Sequence, residues 1–251
     1  MILTEKRWII AEQDEALVAA LARESGIPSL IVRLLLNRGL TDTAAMKAFL
    51  NPATETYLDP YLFQDMEKAV SLVRESIARR EKILIYGDYD ADGVTSTALL
   101  LKVLQELGSD CSFYIPNRFT EGYGINNEAI EKAAAEDIKL IISVDTGIAA
   151  VDAAELAREL GIKLIVTDHH EPPEVLPCAE AIINPKRLDD TYPFDGLAGV
   201  GVAFKLAHAL LGRLPSEYLD LVAIGTIADL APLVEENRLI AIAGLELLSQ
   251  T

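Results

Sequence analysis

Three short apolar segments of this chain each end in acidic residues. They read ILIYGDYDADG (83–93), LIISVDTG (140–147) and LIVTDHH (164–170). A run of four or five apolar residues rich in Ile, Leu and Val is typical of a strand covered on both faces in a parallel sheet. Because parallel strands end at the same edge of the sheet, we expect the acidic residues to meet there, where ligands bind in open α/β folds.

Predicted strands and helices alternate through the middle of the chain. Strands are predicted at 83–87, 111–115, 140–144, 163–167 and 179–183, with helices at 93–107, 126–136 and 149–160 between them. This alternation predicts an α/β fold, a doubly wound, mainly parallel five-stranded sheet. Asp65 is the predicted N-cap of the helix before the first strand.

The flanking regions are predicted to be helical. Short amphipathic helices precede the sheet, and helices at 199–211, 215–228 and 238–248 follow it. We therefore expect an N-terminal helical region over 1–60 and a catalytic domain over 61–235. Residues 236–251 are interpreted as the start of a helix that connects to a further C-terminal domain.

The composition indicates an ordinary globular protein. Apolar residues make up 51% of the 251-residue chain, enough for a sizeable core. No apolar run reaches the roughly 18 residues that cross a bilayer, and the N-terminus MILTEKRWII lacks a signal-peptide pattern. We expect a cytoplasmic protein without a membrane span. Cys111 and Cys178 have no metal-type spacing and are predicted to be free, buried thiols.

The formal charge of −17 argues against a simple nucleic-acid-binding surface, which is normally basic. Part of the charge is the acidic cluster itself, and two divalent cations would offset four charges. Either the substrate is small, or the basic surface that holds a polymer lies elsewhere.

The residues expected at the sheet edge have the chemistry of a metal site. They are Asp88, Asp90, Asp92, Asp145, Asp168, His169 and His170, and Asp229 in the apolar segment AIGTIADLAPL is a further candidate. So many carboxylates would repel one another unless cations compensated them. Carboxylate oxygens suit Mg²⁺ or Mn²⁺, and imidazole favours Mn²⁺. The alternatives are an acidic turn with an N-cap at 88–92 and, for Asp229, a helix-end residue bound to the backbone.

Other motifs carry weaker signals. Asn117 and Arg118 follow a predicted strand, where an Arg can bind phosphate, although an ordinary glycine-rich loop is the alternative. His208 lies within an apolar helix and is interpreted as a packing residue. The glycines of LAGVGVA follow no strand, so they indicate packing or a helix N-terminus directed at phosphate rather than a dinucleotide site.

Taken together, these motifs resemble the DHH phosphoesterase superfamily, and within it the exonucleases that degrade single-stranded DNA. The matching segments are GDYDADGVTSTALL (87–100), PNRFTEGYGIN (116–126), SVDTGI (143–148), TDHHEP (167–172), NPK (184–186), LAGVGVAFKLA (197–207) and GTIADLAPL (225–233). The resemblance covers nearly the whole chain.

The resemblance implies a two-metal phosphodiesterase core acting from the 5′ end of single-stranded DNA in repair and recombination, with replication or repair proteins as partners. The implied ligands of the two Mn²⁺ or Mg²⁺ ions are Asp90, Asp92, Asp145, His169 and Asp229, with Asp145 bridging them. Asp88 and His170 lie beside them, and His170, Asn117 and Arg118 are the implied phosphate contacts. Tyr86 stands where related manganese pyrophosphatases have a ligand histidine, which disfavours that activity.

The resemblance also implies a DHH-associated domain and an OB-type nucleic-acid-binding domain, whose motifs this sequence lacks. Arg118 and Lys205 are then the basic residues expected near the site. Two other functions stay open. One is a DHH hydrolase of short oligoribonucleotides or cyclic dinucleotides, which suits the acidic surface. The other is a degenerate, non-enzymatic DHH module that binds proteins of a replication complex.

Overall fold

The computed structural model describes residues 9, 11–51, 56–122 and 124–250. The chain divides into two compact units, residues 1–56 and residues 57–251. The predicted boundaries at residues 60 and 235 and the connector role of 236–251 stay predictions. Within the described ranges, no helix is long and apolar enough to span a membrane.

The described residues of the first unit form three short helices, α1 (Glu15–Ser25), α2 (Ser29–Leu36) and α3 (Thr43–Leu50). Asp14 and Asp42 cap α1 and α3, because their carboxylates accept hydrogen bonds from backbone amides of the first turn. The three helices enclose a small core that includes Val18, Val32 and Met46. The predicted helical preface therefore forms as helices, each with one buried face.

The second unit is a parallel sheet with helices on both faces. Its strands are β1 (Lys82–Tyr86), β2 (Cys111–Tyr114), β3 (Ile138–Val144), β4 (Lys163–Thr167) and β5 (Ala181–Ile183). Its helices are α4 (Met66–Ala78), α5 (Ala91–Glu106), α6 (Asn127–Ala135), α7 (Val151–Glu159), α8 (Gly199–Leu211), α9 (Leu219–Ala228) and α10 (Glu235–Leu248). The predicted five-stranded doubly wound fold is confirmed.

The strand order is β2-β1-β3-β4-β5, and every pairing is parallel. The chain moves outward from β1 to β2 and then returns to the other side of β1 to form β3. The order therefore reverses between β1 and β3, which is the position where open α/β sheets bind ligands at their carboxyl edge. The acidic segments that follow β1 and β3 flank this position.

Alternate side chains of the strands enter two separate cores. Ile83 and Ile85 of β1 pack with α4, α5 and α8, whereas Leu84 and Tyr86 pack with α6 and α7. This alternation follows from the two-residue period of a strand. Both faces are buried, which explains why the strands read as continuous apolar runs instead of alternating polar and apolar residues.

Three local predictions are corrected by the structure. Asp65 occupies the N-cap position of α4 but makes no capping hydrogen bond. Its carboxylate instead accepts from the backbone N–H of Ile182 (3.0 Å) and from Arg187 (2.8 Å), which satisfies the edge strand β5. Helix α9 begins at Leu219 because residues 216–218 form a 3₁₀ turn. Cys178 is an exposed thiol, and only Cys111 is partly buried.

A buried ion pair joins α8 to the first turn of α10. The ammonium of Lys205 contacts the carboxylate of Glu236, and both side chains are almost fully buried. Lys205 also donates to the carbonyl of Leu58 (2.9 Å), and Glu236 accepts from the backbone N–H of Leu58 (2.9 Å) and from the hydroxyl of Tyr192. These hydrogen bonds compensate both charges away from water.

Candidate metal centre

The loop after β1 places three carboxylates at the carboxyl edge of the sheet. Asp88 is buried, and burial raises the pKa of its carboxyl group. Asp90 is the N-cap of α5, since its Oδ1 accepts from the backbone N–H of Gly93 (2.9 Å). Asp92 lies in the first turn of α5 and is 1% exposed. The N-cap alternative is therefore correct for Asp90, and it leaves a second carboxylate oxygen that can coordinate a cation.

Asp92 is held by the N-terminus of α8, which comes from more than a hundred residues later in the chain. Its two oxygens accept from the backbone N–H groups of Gly199 (2.7 Å) and Val200 (2.8 Å). Burial raises the pKa of Asp92 to about 6, while these two amides and His169 oppose that rise. The N-terminus predicted to face packing or a phosphate thus binds a carboxylate of the protein itself.

Asp145 lies at the centre of the acidic edge. It directly follows β3, and its backbone N–H donates to the carbonyl of Thr167 (3.0 Å), so the ladder between β3 and β4 fixes its position. Its φ of 58° is unusual for a residue other than glycine and occurs at the bend that turns the side chain toward the centre. Burial, followed by the charges of Asp92 and Asp90, raises the pKa of Asp145 to about 10.

The three polar residues after β4, Asp168, His169 and His170, have different roles. Asp168 accepts from the backbone N–H groups of Ile148 (2.9 Å) and His169 (2.8 Å) and contacts His170 Nδ1 at 2.7 Å. Burial alone would raise the pKa of Asp168, but these hydrogen bonds lower it. The same contact raises the pKa of His170 to about 9. Asp168 therefore orients the loop and His170, and its oxygens are already hydrogen-bonded.

His169 points into the acidic edge. Its Nε2 lies 3.1 Å from Asp145 Oδ1 and 3.8 Å from Asp92 Oδ2, and its Nδ1 lies 4.0 Å from Asp229 Oδ2. Asp229 ends α9, with its side chain 26% exposed. Its backbone N–H bonds within the helix to Gly225, but its carboxylate faces the other acidic groups. Both interpretations of Asp229 are therefore compatible with the structure. The helix-end interpretation concerns its backbone N–H, and the metal-ligand prediction concerns its carboxylate.

Three overlapping donor groups make up this edge, and in each group the donor atoms lie within 4.8 Å of one another. They are Asp88, Asp90 and Asp145; Asp145, His169 and His170; and Asp92, His169 and Asp229. Among the described residues, Asp88 Oδ1, Asp145 Oδ1 and His169 Nε2 are buried atoms that make no hydrogen bond, although the last two lie 3.1 Å from each other. Buried polar atoms of this kind are costly unless something binds them, and hard oxygen donors with one or two imidazoles suit Mn²⁺ or Mg²⁺. The residues present fit two divalent cations.

The remaining candidates lie outside these donor groups. Asn117 and Arg118 are on an exposed loop after β2, where Asn117 Oδ1 accepts from the backbone N–H of Phe119 (2.9 Å). The guanidinium of Arg118 lies 5.0 Å from the ring centroid of Tyr89, beside the acidic loop. His208 lines a different cleft with Tyr57 and Asp59. The expectation for Lys205 is wrong, because its ammonium is buried against Glu236.

Gly199 is a site residue that the motif analysis did not identify as such. A Cβ atom at this position would lie 2.4 Å from Asp145 Oδ1 and 2.6 Å from its Cβ. Only glycine allows the first turn of α8 to approach both Asp92 and Asp145 this closely. The signal in the sequence was a glycine at the start of a predicted helix, but its partner could not be read from local sequence.

Gly199→Ala is expected to weaken Mn²⁺ binding by about 10- to 100-fold, the range typical when the support of a metal ligand is disturbed. The added methyl group displaces the carboxylate of Asp145, because the backbone of Asp145 is fixed by the sheet and only its side chain can move. Isothermal titration calorimetry with Mn²⁺ measures this effect. Gly201→Ala is the matched control in the same helical turn, since the nearest atom to its Cβ would belong to the Leu197 side chain, at 3.1 Å. Equal Mn²⁺ affinity in both variants would contradict the role given to Gly199.

The sequence profile of the DHH family, N-terminal domain, matches residues 82–226, more than half of the chain. The chain belongs to the DHH family. The matched DHH region contains the three strand-end segments and α8, and Asp229 lies shortly after it.

Relatives of this DHH chain are named as nucleases. The single-stranded-DNA-specific exonuclease RecJ of Bacillus subtilis (strain 168) is 51% identical over 251 residues, which is 100% of this chain and 32% of that protein. RecJ of Escherichia coli (strain K12) is 40% identical over 235 residues, 87% of this chain and 40% of that protein. The chain therefore spans about a third of the length of the first relative.

Solved structures share the DHH fold. A crystal structure of exonuclease RecJ bound to manganese has a TM-score of 0.70 at 38% identity and covers 76% of this chain and 49% of its own. RecJ from Thermus thermophilus in complex with Mn²⁺ has a TM-score of 0.76 at 31% identity, covering 94% of this chain and 34% of its own. This chain therefore shares the architecture of the sheet and its flanking helices with both RecJ structures.

Proposed function

We propose that this chain is the catalytic core of a two-metal phosphodiesterase that removes nucleotides from the 5′ end of single-stranded DNA, in DNA repair and recombination. The observation that carries the proposal is the convergence of donors from β1, β3, β4 and α9 at the switch point of the sheet, with unpartnered buried donor atoms at the centre. The names of the relatives support the substrate class, and the manganese-bound relative supports the metal.

In this proposal, two Mn²⁺ or Mg²⁺ ions are held by Asp90, Asp92, Asp145, His169 and Asp229. Asp145 belongs to two of the three donor groups, which supports a bridging role for its carboxylate. Such ions, when bound, lower the pKa of a coordinated water and stabilise the attacking and leaving oxygens of an in-line displacement. Asp88 completes the acidic side of the site, and no side chain has to act as the nucleophile.

The chain's own residues position the substrate around this centre. His170 belongs to one of the donor groups, and its hydrogen bond to Asp168 raises its pKa to about 9, which favours the protonated imidazolium at neutral pH. That charge attracts a phosphate oxygen and opposes the negative charge that builds up during displacement. Arg118 extends from the loop after β2 and binds a second phosphate oxygen in a forked geometry, with Asn117 stabilising the loop.

The proposal also extends to location and partners. In it, the chain acts in the cytoplasm together with replication or repair proteins. The formal charge of −17 means that a long DNA strand gains little from nonspecific attraction to this chain. Further DHH-associated and OB-type domains would supply the missing basic surface.

A hydrolase of short oligoribonucleotides or cyclic dinucleotides is the second candidate, and the net charge of −17 favours it, because a small substrate needs little basic surface. A non-enzymatic module is disfavoured, since all of the expected metal donors are present and clustered.

The deciding experiment compares 5′-labelled DNA, 3′-labelled DNA and a short RNA in the presence of Mn²⁺. The expected result is immediate release of labelled mononucleotide from the 5′ label and a series of shortened products from the 3′ label, with slower cleavage of RNA. Preferential cleavage of the short RNA would favour the second candidate. Failure to hydrolyse any of the three substrates, with Mn²⁺ shown to bind, would overturn the enzymatic proposal.

A further inference from the structure

Lys186 lies between two adjoining clefts at the carboxyl edge of the sheet. One cleft, of about 340 Å³, is lined by Lys186 together with His169, Asp229 and Gly196. The other, also of about 340 Å³, is lined by Lys186 together with Glu171 and Leu188. The first cleft includes two residues of the candidate metal centre, so it extends from that centre to Lys186.

A buried asparagine fixes the backbone of Lys186 to the loop that carries the two histidines. Asn184 is fully buried, and its Nδ2 donates to the carbonyl of His170 (2.9 Å). Its Oδ1 accepts from the backbone N–H of Lys186 (2.8 Å). Pro185 between them restricts the backbone further. The position of Lys186 is therefore coupled to that of the metal-centre loop.

The ammonium of Lys186 is available for exchange with another anion. It contacts Glu171 Oε1 at 3.3 Å, but the Glu171 side chain is 82% exposed. Exposed ion pairs of this kind contribute about 0–1 kcal/mol, so a phosphate group can replace the carboxylate at little cost. The neighbouring Arg187 differs, because its guanidinium is 7% exposed and bonded to Asp65 and Asp189.

Lys186 and Arg118 come from opposite edges of the sheet. Arg118 follows β2 and Lys186 follows β5, and the strands that carry the acidic residues lie between them. Because all strands are parallel, both residues follow the carboxyl ends of their strands and lie at the same edge of the sheet as the metal centre. The ends of β2 and β5 are four strand spacings apart, roughly 19 Å, which exceeds the length of one nucleotide.

We infer that Lys186 binds a backbone phosphate of the nucleic-acid strand, on the opposite side of the metal centre from Arg118. This inference rests on the proposed function and adds the course of the strand, which crosses the centre from the β2 edge to the β5 edge. A substrate with one phosphate reaches only the centre, whereas a strand of several nucleotides also reaches Lys186. Lys186 thus favours polynucleotides over small phosphodiesters.

The test compares Lys186→Gln with Lys163→Gln, which makes the same change at the start of β4, on the amino edge of the sheet. Binding of a fluorescent oligothymidylate with phosphorothioate linkages, which resist hydrolysis, is followed by anisotropy with Mn²⁺ over a range of NaCl concentrations. Hydrolysis of bis(p-nitrophenyl) phosphate, which has one phosphate, is measured in parallel. Circular dichroism establishes that each variant is folded.

Lys186→Gln is expected to weaken oligothymidylate binding about five- to tenfold, the loss of one charge-assisted hydrogen bond that is partly solvent-exposed. The slope of log affinity against log salt should fall by about 0.7, the value for one phosphate contact on a single strand. Hydrolysis of the small diester should fall far less, by no more than about twofold. Lys163→Gln should match the unaltered chain in both assays.

Unchanged oligothymidylate binding in Lys186→Gln, or no measurable binding by the unaltered chain, would overturn the inference. Equal losses on the oligonucleotide and the small diester would also overturn it, since Lys186 would then act at the metal centre itself. If the unaltered chain binds the oligonucleotide but hydrolyses neither the diester nor DNA, the proposed function fails, and the binding comparison still decides the role of Lys186.

Discussion

Asp145→Asn is expected to lower Mn²⁺-dependent hydrolysis of single-stranded DNA by at least about a thousandfold, because one change removes a donor from two of the three groups. Asparagine has nearly the same shape, and the backbone of residue 145 stays in the ladder with β4. The fold should therefore survive, and the loss should appear in turnover and in Mn²⁺ affinity together.

The same substitution should not destabilise the metal-free protein. Burial and the charges of Asp92 and Asp90 raise the pKa of Asp145, so its ionised form opposes folding. The pKa of such a carboxyl group is higher in the folded protein than in the unfolded chain. The stability that the group contributes is therefore fully present at a pH below its unfolded pKa, and it is lost as the pH rises through its folded pKa. Neutral asparagine avoids this loss, so thermal unfolding in EDTA at neutral pH should occur at an equal or higher temperature.

Asp152→Asn is the matched control, since Asp152 lies in the exposed first turn of α7, shortly after β3. Its turnover and Mn²⁺ affinity should equal those of the unaltered chain. Full activity in folded Asp145→Asn would show that the metal centre has been placed wrongly.

Lys205→Met is expected to destabilise the fold by about 3–5 kcal/mol, the usual cost of removing one partner from a buried ion pair. Glu236 would be left charged and 3% exposed, without its cation. Burial already lowers the pKa of Lys205 in spite of Glu236, which indicates how poorly this interior accommodates a charge. Urea unfolding followed by circular dichroism measures the change in the free energy of unfolding.

The double variant Lys205→Met/Glu236→Gln distinguishes two causes of the lost stability: the uncompensated charge of Glu236 and the lost packing of the Lys205 side chain. Glutamine keeps an oxygen that accepts from the backbone N–H of Leu58, its NH₂ group can donate to the hydroxyl oxygen of Tyr192, and it has no charge to bury. Most of the lost stability should therefore return. If the double variant is no more stable than Lys205→Met, an uncompensated charge is not the cause of the loss.

Most of the fold could be predicted because its signals are local. The apolar runs that became β1, β3 and β4 are buried on both faces, and burial on both faces requires that composition. The predicted bounds of β4 are correct, and those of the other strands differ from the structure by one or two residues. Cys178 was placed wrongly because exposure in the loop between β4 and β5 depends on which elements cover that loop.

The roles within the site depended on distant contacts. Asp168 and Asp145 both follow buried strands, yet Asp168 is engaged by backbone amides and His170, whereas Asp145 faces the centre with an oxygen that has no hydrogen bond. Lys205 looked like a basic residue near the site, but its ammonium contacts Glu236 of α10 and the carbonyl of Leu58. Motif spacing does not contain this information.

The sequence by itself determined that parallel strands would bring several carboxylates and histidines to one edge, because strand direction and burial follow from local apolar pattern. The tertiary structure decided which groups meet there. It placed the amides of α8 on Asp92, the glycine at 199 against Asp145, and Lys186 at the opposite edge from Arg118. These arrangements join residues far apart in the chain, so they depend on how whole elements pack, and no short stretch of sequence specifies that.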